Sequence, residues 1–221
     1  MSRSSQFQKP NKKVIIFDFD GVLADSFDHF YSLNRDGMKH VGLSFTKEQY
    51  RNLFIGNVHQ GFKNFINDDQ KYLTFSEFRN ENYDRNYYNK EGGVKLFPEA
   101  LTFLKKIGEK YILTVASSSH KNNIKNLLEK NKVLDIFGLI IANTTTTKAG
   151  MLNEIMKKFN AKPSEVLMIT DTIGDILIAK KSGLKTIAAT WGFHSSKLLR
   201  SAKPDCLASN FKMLYKQLKA F

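Results

Sequence analysis

The spacing of apolar positions along this chain changes near residue 97. Beyond it, short apolar runs alternate with stretches whose apolar residues recur every three or four positions. Tyr111-Ile112-Leu113-Thr114-Val115-Ala116, Leu139-Ile140-Ile141, Val166-Leu167-Met168-Ile169 and Thr186-Ile187-Ala188-Ala189 predict strands. Between and after them the spacing predicts helices over 98–107, 120–131, 148–159, 173–182 and 211–218. Met151, Ile155, Met156 and Phe159 share one helix face, and Gly183 is placed to end the helix before it. Near the start, Val14-Ile15-Ile16-Phe17 is another buried-strand run. Short apolar strands separated by helices mean a parallel sheet covered on both faces. The segment from Phe27 to Val94 interrupts that pattern. It reads as helical, with Phe54, Phe62, Phe65, Phe75 and Phe78 for a small core and Gly92-Gly93 as a hinge back. The expectation is an α/β fold: a doubly wound parallel sheet built from residues 13–26 and 95–221, carrying an inserted α-helical cap over residues 27–94.

Composition narrows the setting. A chain of 221 residues can bury one good core and a small insert. A single cysteine rules out a disulfide framework and points to a reducing, cytoplasmic setting. No apolar run approaches the roughly 18 residues of a membrane helix. Residues 1–12 are polar and lack the apolar centre of a secretory signal, so they read as a disordered tail. The formal net charge is +13, which suits an anionic partner. Nucleic acid is the weaker choice. The arginines are Arg3, Arg35, Arg51, Arg79, Arg85 and Arg200, and the lysines scatter along every helix rather than forming a face. A small phosphorylated metabolite fits better, taken up by a monomer or homodimer.

The chemistry concentrates where apolar runs end. Asp18 and Asp20 follow the first strand, and Gly21 opens a loop at once. Acids at the carboxyl end of a parallel strand sit where open α/β sheets bind ligands. Two acids this close repel, and a hard divalent cation such as Mg²⁺ relieves them while leaving room for a phosphate.

The run Asp18-Phe19-Asp20-Gly21-Val22-Leu23-Ala24-Asp25-Ser26 resembles the first signature of the haloacid dehalogenase-like hydrolase superfamily, and its position before a helical insert resembles the C1-cap arrangement. The resemblance implies a Rossmann-like core. It assigns Asp18 as nucleophile and Asp20 as general acid and base. Ser117, in Val115-Ala116-Ser117-Ser118-Ser119, matches the second motif; with Ser118 it would bind phosphate. Lys148, opening a helix after Thr144-Thr145-Thr146-Thr147, matches the third-motif lysine, although the usual Gly-Lys-Pro flank is absent. Met168-Ile169-Thr170-Asp171-Thr172-Ile173-Gly174-Asp175 resembles the fourth motif, with Thr170 where glycine is common. The implied metal set is Asp18, the carbonyl of Asp20, Asp171 and Asp175. Thr190-Trp191-Gly192-Phe193-His194-Ser195 is similar to a loop of the phosphoglycolate phosphatase-like branch.

A second aspartate at position 20 favours phosphoester chemistry over carbon–halogen cleavage within that superfamily. In the cap, Arg51, Asn57, His59 and Lys63 are the expected specificity residues. The leading expectation is a Mg²⁺-dependent phosphatase for a small monoester. The alternatives are a phosphosugar mutase on the same fold, or a non-catalytic protein that binds anions or nucleic acid.

Overall fold

A computed structural model describes residues 12–83, 93–143 and 145–221. Residues 1–11 of the expected tail, Gly92 of the expected hinge and Thr144 of the threonine run lie outside the described residues. In chain order, β1 (Val14–Phe17) and β2 (Ala24–Asp25) lead into α1 (Phe27–His40), α2 (Lys47–Asn52), α3 (Val58–Ile66) and α4 (Asp69–Tyr83). There follow β3 (Lys95–Leu96), α5 (Ala100–Gly108), β4 (Ile112–Ser117), α6 (Lys121–Lys130), β5 (Phe137–Ala142) and α7 (Lys148–Phe159). The chain ends with β6 (Val166–Thr170), α8 (Ile173–Lys181), β7 (Lys185–Ala189), α9 (Ser196–Ser201), β8 (Cys206–Ala208) and α10 (Phe211–Leu218).

Six strands form one parallel sheet in the order β5-β4-β1-β6-β7-β8. β1 is central: Val14 lies between Ile112 and Val166, and Phe17 between Val115 and Ile169. Its alternate side chains divide the two cores, as strand geometry requires. Ile15 and Phe17 face a cluster with residues of α5, α6 and α10, while Val14 and Ile16 face one with Met151, Leu152 and Ile155 of α7. Helices on both faces give the doubly wound α/β architecture that the sequence pattern predicts. Because β4 and β6 flank β1 and the chain turns opposite ways beyond them, a crevice opens at the carboxyl end of β1.

Several short elements escape a pattern reading. β5 is longer than the 139–141 run, because Phe137 pairs with Leu113 across an irregularity in the ladder. The two-residue strands β2 and β3 pair antiparallel, Ala24 with Leu96 and Asp25 with Lys95, where the chain leaves and re-enters the sheet domain. β8 has only Cys-Leu-Ala to mark it. Helix α5 starts at Ala100, not Pro98, since the Ala100 amide bonds the Phe97 carbonyl in a turn first.

The helices α1–α4 pack around one ring. Tyr50 is fully buried, and its centroid lies 5.2–6.5 Å from those of Phe27, Tyr31, Phe45, Phe54, Phe62 and Phe193. Phe62 and Phe75 are buried at 4.9 Å from each other, whereas the expected core residues Phe54, Phe65 and Phe78 are only partly covered. Phe193 belongs to the loop after β7, so the aromatic cluster of the helical segment is continuous with the sheet domain. Phe62→Ala should therefore cost about 3–5 kcal/mol. In a chain of this size that lowers the melting temperature by roughly 2–4 °C per kcal/mol, readable by calorimetry.

Candidate active site

Residues from four strand ends meet in the crevice above β1. Asp18 follows β1 directly, and its amide continues the ladder to the Ile169 carbonyl at 2.9 Å. Lys148, the first residue of α7, crosses from β5 and places its ammonium 3.2 Å from Asp18 Oδ1, 2.8 Å from Asp175 Oδ2 and 2.8 Å from the Ala116 carbonyl. Its side chain is only 8% exposed. Burial alone would depress the Lys148 ammonium, but Asp175 and Asp18 overcome it and hold its pKa above the ordinary lysine range. The threonine run helps to start α7: Thr147 caps the helix, and Asn143 gathers the amides of Thr145 and Thr146.

The acids are held against repulsion. Burial pushes the Asp18 carboxyl well above the usual range; Lys148 opposes this, and Asp175 and Asp171 add to it. Asp171 is pushed up to about 7 by burial, against the pull of its bond from the Phe193 amide and with Asp175 adding to the rise. Its Oδ2 accepts from that amide at 2.6 Å. A Cβ on Gly21 would lie 2.1 Å from the same oxygen, and one on Gly192 2.2 Å. Both glycines are thus required by close approach, and Gly21 also by its φ of +74°. The other oxygen, Asp171 Oδ1, is buried with no hydrogen-bond partner. Thr170, at the common glycine position, donates to Asp175 Oδ2 at 3.3 Å. Asp175 therefore braces Lys148 at least as directly as it could face a metal.

A divalent cation suits this set. Lys148 pairs with Asp18 and Asp175, while a buried carboxylate oxygen on the neighbouring Asp171 lacks a donor. Among the described residues no three His, Cys, Asp or Glu side chains close into a cage. Mg²⁺ does not need one, since it takes one or two carboxylates and keeps waters. Asp18, Asp171 and the Asp20 carbonyl are the fitting donors.

Asp20 turns elsewhere: its Oδ2 accepts a hydrogen bond from Ser119 Oγ. Ser117, buried at the end of β4, accepts from the Ser119 amide at 3.1 Å, whereas Ser118 is exposed. Of the serine cluster it is Ser119, which sequence reasoning missed, that meets a catalytic candidate.

Three of the four expected specificity residues have partners within the protein. Arg51 donates to the carbonyls of Gly192 at 3.0 Å and of Phe193, and lies 3.7 Å over the Phe27 ring. It clamps the helical segment to the loop after β7. Asn57 caps α3 by accepting from the Gln60 amide. Lys63 is exposed and pairs with Asp69 at 3.0 Å. His59 is exposed. The loop itself does reach the site, since a Cβ on Gly174 would lie 3.5–3.8 Å from the carbonyls of Phe54, Ile55 and Gly56.

His194 is a further missed residue. It is fully buried, its Nδ1 accepts from the Ile173 amide at 3.0 Å, and its Nε2 stands 3.0 Å from the Arg51 carbonyl. With Nδ1 accepting, the ring proton sits on Nε2 and is donated to Arg51. The N-terminal donor of α8, which Thr172 leaves uncapped, is satisfied by a ring whose other nitrogen bonds the helical segment.

The residues matched to family models extend from 15 to 189, and the model is that of the haloacid dehalogenase-like hydrolases. The chain belongs to that family. It is 26% identical over 213 residues to a Dickeya dadantii protein named probable phosphatase IndB, covering 90% of each. It is 24% identical to a phosphoglycolate phosphatase of Aliivibrio fischeri, covering 91% of this chain and 94% of the relative. Among solved structures, a haloacid dehalogenase-like hydrolase of Streptococcus pneumoniae shares the fold at a TM-score of 0.78 and 20% identity, covering 94% of this chain and 98% of that one.

His194→Phe should keep the ring volume but strand the Ile173 amide and the Arg51 carbonyl. The expected loss is about 1–3 kcal/mol for each buried group left unpaired, read by denaturant unfolding. His194→Asn, whose Oδ1 can replace Nδ1, should recover part of it.

Proposed function

We propose that this chain is a Mg²⁺-dependent phosphatase that hydrolyses a small phosphate monoester through an aspartyl-phosphate on Asp18. The observation that carries the reading is the Lys148 ammonium bridging Asp18 and Asp175 at the carboxyl end of the central strand. A phosphate dianion resists nucleophiles, so two transfers through a carboxylate are easier than one direct attack by water. Asp18 attacks phosphorus in line. Lys148 and Ser117 hold the equatorial oxygens as charge moves across them. Asp20 protonates the leaving alkoxide and then takes a proton from the water that cleaves the acyl phosphate. When bound, Mg²⁺ offsets the like charges and polarises a phosphoryl oxygen; Asp18, Asp171 and the Asp20 carbonyl would hold it, with Asp175 bracing Lys148 behind. Relatives named as phosphatases support the same reaction class.

The alcohol half of the ester would meet the helical segment. Arg79 of α4 has a buried Nε with no hydrogen-bond partner. Its charge acts on the Tyr50 phenol, as do Tyr83 and Asp20. A guanidinium in that condition suits a carboxylate on the leaving group, in keeping with the relatives named phosphoglycolate phosphatase.

Asp18→Asn should abolish phosphate release while leaving the melting temperature within a few degrees of wild type, because an amide of nearly equal size is a poor nucleophile. Retention of more than a few percent of the wild-type rate would remove Asp18 from the nucleophile's place. Activity should vanish in chelator and return with Mg²⁺, and excess Ca²⁺ should inhibit, since its looser, higher coordination spoils in-line geometry. Inorganic phosphate, rather than an isomeric sugar phosphate, is the expected product.

A further inference from the structure

Ser119 is held by three separate parts of the chain, two of them through its hydroxyl. Its backbone is fixed by the sheet domain, where the Ser119 amide donates to Ser117 Oγ at 3.1 Å beyond β4. Its oxygen donates to Asp20 Oδ2 in the loop after β1. From the helical segment, the Tyr83 hydroxyl reaches the same oxygen at 3.1 Å. The direction of these bonds follows from chemistry. Asp20 Oδ2 accepts the serine proton both when the carboxyl is ionised and when its own proton sits on the other oxygen, so Tyr83 must donate its proton to Ser119.

Tyr83 is held for this task. It is the last residue of α4, a helix that buries only Phe75 completely. Its ring packs 5.5 Å from Phe30 of α1 and 4.6 Å from His120, the residue before α6 in the sheet domain. The end of α4 therefore meets the sheet domain at the residue that contacts the carboxylate.

From this arrangement we propose that Ser119 and Tyr83 are positioning residues for Asp20: the chain Tyr83–Ser119–Asp20 sets the plane of the acid–base carboxyl only while the helical segment is seated. The inference rests on the phosphatase reading above. In the first transfer the bond between phosphorus and the leaving oxygen breaks, and the proton on Asp20 passes to that oxygen. In the second, Asp20 takes a proton from water as the water oxygen bonds phosphorus and Asp18 is released. Neither step moves a proton along the chain. Ser119 and Tyr83 act by holding one carboxyl oxygen so that the group meets the leaving atom in one orientation.

A leaving group's need for that proton separates positioning from general disruption. An alkoxide must be protonated as it departs, whereas p-nitrophenolate is stable without a proton. The ratio kcat/KM reports steps only up to the first irreversible transfer, so it isolates the role of Asp20 as acid. Ser119→Ala should lower kcat/KM for an alkyl phosphate such as 2-phosphoglycolate by about thirtyfold or more, within the range that general acid catalysis contributes. On p-nitrophenyl phosphate the loss should stay below about threefold. Tyr83→Phe should show the same selectivity at about tenfold, and the double variant should lose no more than Ser119→Ala alone, as expected of residues acting in series. Ser119→Thr, which keeps the hydroxyl, should restore the alkyl rate. Circular dichroism and melting temperature check that each variant folds. Equal losses on both esters, or no rescue by threonine, would assign these residues to the fold and overturn the inference while leaving the phosphatase reading intact. Failure of the wild type to hydrolyse either ester with Mg²⁺ would overturn both.

Discussion

Everything at the carboxyl end of β1 depends on keeping Asp18, Asp171 and Asp175 together out of bulk water. In such surroundings Asp18 and Asp171 resist ionisation, and neighbouring carboxylates repel one another. Lys148 is the protein's internal answer: buried itself, it bonds Asp18 and Asp175 and takes a third bond from its ammonium to the Ala116 carbonyl. A buried ion pair of this kind adds little net stability, because desolvation offsets attraction. Its value lies in geometry. One cation against three acids leaves an excess of negative charge and an undonated oxygen on Asp171, and that residue of unsatisfied charge is what a divalent ion would complete. The parallel sheet makes the arrangement affordable, since β1, β4 and β6 bring their loops to one crevice without extra chain.

The loop after β7 links that cluster to the helical segment. Its consecutive residues face two ways. The Phe193 amide holds Asp171, while the Phe193 ring packs against Phe27, Phe54 and Tyr50. Gly192 has no room for a side chain beside Asp171, and its carbonyl accepts from Arg51. His194 ties the start of α8 to the end of α2. Displacing the helices thus pulls on the residues that fix Asp171. Seating of the helical segment and readiness of the acid cluster are one packing problem, solved by aromatic contact on one side of a short loop and hydrogen bonds on the other.

What could be seen in the sequence follows from how local each signal is. The sheet was legible because its strands are apolar on both faces and separated by helical periods, a pattern that needs no knowledge of neighbours. Asp18 and Asp171 stood out because each stands at the end of such a run, whereas Lys148, one of many lysines, stood out only by its resemblance to the third motif. The helical segment was legible as helices but not in its packing: Tyr50, the ring at its centre, looks like any polar-edged aromatic in Lys-Glu-Gln-Tyr-Arg-Asn. The internal partners of the expected specificity residues were hidden for a related reason. Arg51, Asn57 and Lys63 are polar and stand near glycines, the usual look of a binding loop, yet their partners are a distant carbonyl pair, a local amide and Asp69. Ser119 stands beside two other serines, and nothing local says which one faces Asp20. Tyr83 lies 36 residues away from it in sequence.

The overall charge and the local site pull in opposite senses, and distance decides between them. A net +13 surrounds a crevice that is itself rich in acid. At physiological ionic strength exposed charges act over about 8 Å, so scattered lysines can draw an anionic ester toward the molecule without neutralising buried aspartates. Close to phosphorus only groups within a few ångströms count, and there the described positive group is Lys148. The long-range field thus favours encounter with any anion. Discrimination must come from contacts inside the crevice, and the described side-chain donors there are few: one ammonium and the hydroxyls of the serine cluster. A phosphoryl group, with three oxygens to satisfy at once, matches that number and geometry better than a singly charged carboxylate, which would leave part of the set unpaired.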